Sequence, residues 1–404
     1  MTHSSDDRFL PYARQDLDAS DIAAVVDVLN SDWLTQGPKV PEFECAIAER
    51  VGSNFGVAMS SGTAALHAAC ITAGLGPDDE IITSPITFAA SGNCALYAGA
   101  NVRFADIRQD TYCIDPQKII DAITPRTKVI IPVDFTGQPC DLDEISGIAR
   151  RSGLVVIEDA AHALGATYRD RSVGSLADMT VFSFHPVKHV AAGEGGLVAT
   201  NDGAFDAALR LFRSHGISNA ENSMTLPDQA ADNEGIPAER ANPPGKAGWY
   251  YEMLTLGYNY RITDMQCALG LSQLARLDSF IERRRRIAQR YTEAFSQSQL
   301  LSVPTQLSDR QSAWHLYVLS LRLKKMEKTR RRVFDELRAM GIGVHVHYIP
   351  LHLQPYYRKR FGYKRGDFPV AEAYYDSALT IPLFPAMSDI DVERVIKSVL
   401  QVVQ

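Results

Sequence analysis

The sequence predicts an α/β protein: a large domain built on a mostly parallel sheet, followed by a smaller α+β domain. Three observations carry this. Seven short β-rich runs (GVAMSS, EIITSP, NVRFAD, KVIIPVDF, LVVIED, MTVFSF and GLVAT) alternate with helical stretches up to residue 200. Four of them are nearly continuous apolar blocks rather than alternating ones, the pattern of strands covered on both faces by helices. The 404-residue length exceeds the size at which one core stops growing, so two domains are expected.

Element by element, DASDIAAVVDVLNSDWLTQGPKVPEFECAIAERVG reads as two helices. Gly37-Pro38 interrupts the apolar periodicity and puts a turn at Thr35 to Pro38. The strand–helix alternation follows. Ser218 to Gly248 is polar, rich in Pro and Gly, and without periodicity, so a long loop or lid is expected. Thr263 to Gln266, TDMQ, offers a capping box, and Leu274, Leu277 and Ile281 follow at helical spacing, which predicts one long helix linking the domains. LYVLSLRL, two helical stretches and GVHVHY fit the smaller domain. The boundaries read as 1–265 for the large domain and 266–404 for the small one. There is no internal repeat.

The formal net charge of −7 and pI near 5.8 give no global attraction to nucleic acid or an anionic membrane. The two basic runs, ERRRRIAQR and KKMEKTRRR, fall in helical stretches, where such runs read as solvated faces. Neither a nucleic-acid nor a membrane partner is expected. Six scattered cysteines show no C-x-x-C pair and read mostly as buried thiols. The first residues lack the basic and apolar regions of a secretory signal, and no apolar run reaches membrane-spanning length, so the expected location is cytoplasmic.

Four features of the large domain bear on chemistry. SSGTAALHAA follows a strand and opens a helix, where free backbone N–H groups, close approach at Gly62 and the hydroxyls of Ser61 and Thr63 suit a phosphate; simple capping is the alternative. Asp159 ends the run LVVIED, at the sheet edge where ligands gather in α/β folds. It could hold a proton on a heterocyclic nitrogen, hold a metal or cap the next helix, and His162 lies three residues on. Lys188 follows Ser183 and His185 and precedes Gly193, Gly195 and Gly196. It reads as an exposed loop residue, or as a desolvated amine reactive toward aldehydes. Phe88 follows another strand end and could stack on a planar ring or belong to the core. Taken together, the four offer what pyridoxal phosphate (PLP) needs.

The chain resembles the nucleotide-sugar aminotransferases of the DegT/DnrJ/StrS type over almost its whole length. The resemblance rests on LTQGPKV, SSGTAALH, PITFAA, EDAAHALGA, FSFHPVK, GEGG, FRSHG, GYNYRITDMQCALGLSQL, HLYV and VHYIP. It implies the fold type I of PLP-dependent transferases, with Lys188 as the lysine that condenses with the cofactor and Asp159 on the pyridine nitrogen. Phe88 and His162 would flank the ring, and Gly62, Thr63 and Ser183 would bind phosphate. Asn259 would reach the phosphate of the neighbouring subunit, which implies a homodimer with shared sites. Within the family the resemblance is greatest to the group that aminates C4 of a UDP-linked 4-keto-6-deoxy-N-acetylaminosugar for pseudaminic acid, with an amino acid such as glutamate as donor. There Tyr12, Thr35, Ser61, His315 and Tyr317 fall at substrate-contact positions.

Three rival readings are weaker. A sugar dehydratase of the same fold carries another residue, typically histidine, where this chain has Lys188. A non-catalytic regulatory protein has no need of Lys188, Asp159 and Ser183 together. A nicotinamide enzyme would show G-x-G-x-x-G between strand and helix, which is missing here. His345 and His347 alternate as on one strand face and could ligate a metal, but without a third ligand signature no metal is expected, and they read as lining the mouth of the site.

Overall fold

The computed structural model describes residues 8–237, 240–241 and 245–404. All seven β-rich runs are strands of one sheet: Phe55–Met59 (β1), Glu80–Thr83 (β2), Asn101–Phe104 (β3), Thr127–Ile131 (β4), Val155–Asp159 (β5), Met179–Ser183 (β6) and Gly196–Thr200 (β7). Their order is β1-β7-β6-β5-β4-β2-β3. From β6 through β3 every pairing is parallel, while β7 runs antiparallel to both β1 and β6. The carboxyl ends of the parallel strands therefore share one edge, where β7 begins at Gly196. Helices cover both faces, so Ile81, Ile82, Val129, Ile130, Ile131 and Ile157 are fully buried, as their unbroken apolar pattern requires.

The two expected N-terminal helices are Ala19–Leu29 and Lys39–Val51. Pro38 cannot cap the second with a side chain. Buried Asp264 does so from 225 residues away in sequence, accepting the N–H groups of Gly37 (2.8 Å) and Lys39 (2.9 Å). A carboxylate there also meets the positive end of the helix dipole.

The long linking helix is interrupted. Thr263 and Gln266 form the expected capping box, but the helix they start, Asp264–Leu274, ends at Ala275, and a new one runs Leu277–Phe295. Arg276 at the break turns toward Ala19–Leu29, pairing with Asp18 at 2.9 Å and with buried Asp21, which also takes Gln273 Nε2. The first segment packs on the two N-terminal helices, and the second joins the core of the three-stranded antiparallel sheet Leu301–Ser302 (β8), Tyr317–Leu321 (β9) and Ala378–Ile381 (β10). Leu10 enters this same C-terminal core, its N–H donating to Gly341 and its carbonyl accepting from Gly343.

GVHVHY is not a regular strand. It makes a single antiparallel bridge, His345 to Thr380, and His347 Nδ1 lies 2.9 Å from Thr380 Oγ1. The Ser218–Gly248 stretch is anchored at its ends by pairing of Ile217–Ser218 with Glu252–Met253. Glu252 accepts from the Thr225 N–H (2.7 Å), the Thr225 hydroxyl (2.6 Å) and the Leu226 N–H (2.9 Å). Residues 238–239 and 242–244 of this stretch, and the opening residues 1–7, lie outside the described residues. Of the cysteines, Cys45 is exposed and the other five are buried and free. Among the described residues, no helix is long and apolar enough to cross a membrane.

Arg284 departs from the solvated face expected of ERRRR. It is 1% exposed, and its guanidinium donates to the carbonyls of Leu383 (3.0 Å), His315 (3.2 Å) and Trp314 (3.3 Å). Burial pulls its pKa down to about 10. Arg284→Met would leave buried carbonyls unpaired and is expected to cost about 3 kcal/mol, read as a lowered denaturant midpoint at unchanged slope. A midpoint equal to wild type would contradict this account of the buried guanidinium.

Candidate active site at the sheet edge

Lys188 sits where β6 leaves the sheet. The segment after Ser183 folds back on itself, Phe184 N–H donating to Gly195 O and Ala192 N–H to Phe184 O, both at 2.9 Å. Gly193 turns this loop at φ +81°, a conformation that suits glycine. The loop holds Lys188 half-buried among Asp159, His162, His189 and His315. Desolvation drives the pKa of its amine down to about 8; the charge of Asp159 opposes the shift and that of Arg284 adds to it. In the cofactor-free protein the neutral, nucleophilic fraction should then rise about tenfold per pH unit up to about pH 8 and level off above it. Initial rates of cofactor attachment, followed by visible absorbance, should trace that curve; a rate still climbing at pH 10, near the free-lysine range, would show an ordinary exposed lysine.

Asp159, 6% exposed, ends β5. Ser91 donates its hydroxyl to Asp159 Oδ2 at 2.6 Å, and the Ala161 N–H donates to Oδ1 at 3.2 Å. Burial raises the pKa of this carboxyl, while those two bonds and Lys188 oppose the rise. His162 is buried beside it, its Nε2 3.3 Å from the Tyr348 hydroxyl and its ring 4.3 Å from that of His315. Burial and the Lys188 charge push His162 well below its ordinary pKa, which keeps the ring neutral.

At the same edge the helix Gly62–Thr72 begins. Ser61 Oγ caps it by accepting the Ala64 N–H at 3.1 Å, so this hydroxyl does the capping that was the alternative reading. The first turn leaves the N–H groups of Gly62 and Thr63 without intrahelical acceptors. A side chain at Gly62 would press on Ser183 Cβ at 3.2 Å, and one at Gly196 would collide with the Ser61 carbonyl and the Gly62 nitrogen. The absence of both lets β6, β7 and the helix start converge, with the free N–H groups of the first turn beside Ser183.

The structure thus brings together Lys188, Asp159, His162 and His315, and sets Gly62, Thr63 and Ser183 side by side. Phe88, 61% exposed, is not core; its ring lies 6.2 Å from that of Tyr348. Both line an open cavity of about 660 Å³ with His345, Tyr97, Tyr356 and Tyr357. Tyr12 packs its ring 5.5 Å from His345 and 5.2 Å from His347. Thr35 is exposed in the turn before Lys39–Val51, bridged to Thr263. Asn259 is exposed on a bridge with Ser214.

Tyr317 stands apart. It is fully buried in the C-terminal core, its hydroxyl 2.8 Å from Thr292 Oγ1 and its ring against Tyr291 and Trp314. That packing corrects the substrate-contact expectation for this residue, since β9 turns its side chain into the core. His315, at 3% exposure, backs His162 rather than facing solvent. Sequence reasoning missed Ser91, Tyr348, His189 and Arg284. Tyr348 lies within GVHVHY and VHYIP, and Ser91 directly follows PITFAA, but only their spatial partners reveal them.

A parallel sheet whose edge gathers a desolvated lysine, a buried carboxylate, a neutral imidazole and a helix start with free N–H groups is the arrangement of a PLP-dependent transferase of fold type I. The residues fit that cofactor, with an amine for its aldehyde, an acid for its ring nitrogen and free N–H groups for its phosphate. The sequence pattern of the DegT/DnrJ/EryC1/StrS aminotransferase family matches residues 15–400. The chain belongs to this family, and it is an enzyme whose cofactor is PLP. It is 44% identical over 397 residues to the spore coat polysaccharide biosynthesis protein SpsC of Bacillus subtilis, covering 98% of this chain and 97% of that protein. Among solved structures it resembles Helicobacter pylori PseC, an aminotransferase involved in pseudaminic acid biosynthesis (TM-score 0.87, 29% identity, 98% and 99% of the two chains). It also resembles the PLP form of the putative sugar aminotransferase Spr1654 of Streptococcus pneumoniae (TM-score 0.86, 30% identity, 97% and 98%).

Proposed function

We propose that this aminotransferase moves an amino group from an amino acid, L-glutamate, to C4 of a UDP-linked 4-keto-6-deoxy-N-acetylaminosugar, in the cytoplasm and on the route to pseudaminic acid or a related surface sugar. The observation that carries the reading is Lys188, just beyond the end of β6 and within reach of the Asp159 charge, in a chain that matches PseC over nearly its full length. PLP, when bound, supplies an aldehyde for the amine and a ring that takes up an electron pair. Asp159 holds a proton on the nitrogen of that ring. Lys188 Nζ would condense with that aldehyde and, as a neutral amine, would serve as the base that moves the proton of the donor Cα. His162 and Phe88 keep the ring plane fixed, and the first turn at Gly62 and Thr63 with Ser183 holds the phosphate.

Asn259 supplies a further phosphate contact from the neighbouring subunit of a homodimer. Supporting this, Trp249, Tyr251, Met253 and Leu256, just before Asn259 in the chain, are 60–73% exposed in the single chain, an apolar stretch that a partner would cover. The greater identity to SpsC favours a second reading, in which the product is a different surface-polysaccharide sugar. Both are tested by recording the visible absorbance of the purified protein, its loss on adding glutamate, and its return with a panel of UDP- and dTDP-linked keto-sugars. Return with only a dTDP sugar would defeat the UDP assignment and leave the aminotransferase assignment intact.

A further inference from the structure

We infer that His67 is a positioning residue that presents Asn259 to the neighbouring subunit, so that each protomer governs how tightly its partner holds the cofactor phosphate. The inference rests on the reading of Asn259 given above. His67 lies on the helix Gly62–Thr72, whose first turn forms the cradle of its own subunit. It is 3% exposed, and its Nδ1 is 3.0 Å from the Tyr260 hydroxyl. The rings of Tyr258 (5.3 Å), Phe212 (5.4 Å), Tyr97 (5.6 Å) and Tyr260 (5.9 Å) surround it edge-on. Tyr258 and Tyr260 stack on each other at 5.0 Å, so both neighbours of Asn259 are clamped by one imidazole and its aromatic shell.

The backbone repeats this arrangement. Tyr258 N–H donates to Phe212 O, His215 N–H to Tyr258 O, and Tyr260 N–H to Arg213 O; Ser60 N–H then donates to Tyr260 O, next to Ser61 at the head of the cradle. The segment 258–260 is thus a strap between the end of one helix and the start of another, with Asn259 on its exposed side. Burial lowers the pKa of His67, so the ring stays neutral and keeps one nitrogen free to accept the Tyr260 hydroxyl. Nothing in the chemistry at Lys188 uses this histidine, yet it is buried, hydrogen-bonded and caged.

The test uses hybrid dimers in which one chain carries Lys188→Ala, so that only the wild-type Lys188 of the other chain gives a visible band. Retention of PLP at that site is followed by loss of the band during gel filtration or dialysis. Placing His67→Phe or Tyr260→Phe on the Lys188→Ala chain is expected to speed cofactor loss from the other chain about tenfold, the effect of losing one buried hydrogen bond. The same substitution placed on the chain that bears Lys188 should leave retention unchanged, and His67→Gln, which keeps an acceptor, should restore most of it. An effect only in the second arrangement would mean that His67 acts on its own helix start; that result, or no effect in either arrangement, overturns the inference. Tyr260→Phe removes one hydroxyl outside the helix and decides the matter should His67→Phe fail to fold. Asn259→Ala in the first arrangement separates the two ideas: if it too has no effect across the dimer, the underlying reading of Asn259 falls, and if it alone acts across the dimer, only the role of His67 falls.

Discussion

Lys188→Ala is expected to lower amino-sugar formation by at least about 10³-fold while leaving the fold intact. In the proposed function one amine performs two tasks, condensing with an aldehyde and carrying a proton, so its removal would affect both. The histidines around it are no substitute, because burial keeps His162, His189 and His315 far below their ordinary pKa values and imidazoles form no stable bond with an aldehyde. The measurement is single-turnover formation of amino-sugar, paired with reductive trapping and peptide mapping of the wild-type protein. Label at any position other than 188 would sink the assignment, as would multiple turnovers by the alanine variant.

Asp159→Asn should cost about 10²–10³-fold in turnover, the magnitude typical of removing one charge aimed at the reacting group. The substitution is close to isosteric. Ser91 can still donate to the amide oxygen where it now donates to Oδ2, so the change is electrostatic rather than a cavity. The sign of a second effect follows from the same charge. Asp159 at present raises the Lys188 pKa against desolvation, so its neutralisation should move the amine further down, and the pH curve of cofactor attachment should shift to lower pH. Turnover within threefold of wild type, or a curve displaced to higher pH, would contradict the proposed pairing.

The parts of the site that could be read from the sequence are those whose function is local. Asp159 and Ser183 end apolar runs, and a parallel sheet sends all such ends to one edge, so pattern alone placed them together. Gly62 was readable as a close-approach position, whereas Gly196, read with Gly193 and Gly195 as a turn, instead starts β7 where Ser61 and Gly62 approach it. Ser91, Tyr348 and His67 escaped because their significance lies in contacts spanning 68, 186 and 193 residues of chain respectively. The broken linking helix shows the same limit from another side: apolar helical spacing continues through Leu274, Leu277 and Ile281, but the helix breaks where Arg276 pairs with Asp18 and Asp21, partners more than 250 residues away. Tyr317 is the converse case, a polar aromatic whose place in a motif suggested a ligand contact while β9 turned it into the core.

The pairing of Leu10 with Gly341 and Gly343, together with the bond from the Leu383 N–H to Tyr12 O, has a consequence for biosynthesis. Leu10 and Tyr12 are synthesised about 330 to 370 residues ahead of those partners. The two residues therefore wait unpaired until the C-terminal core is made, and deleting the segment that holds them should loosen that core.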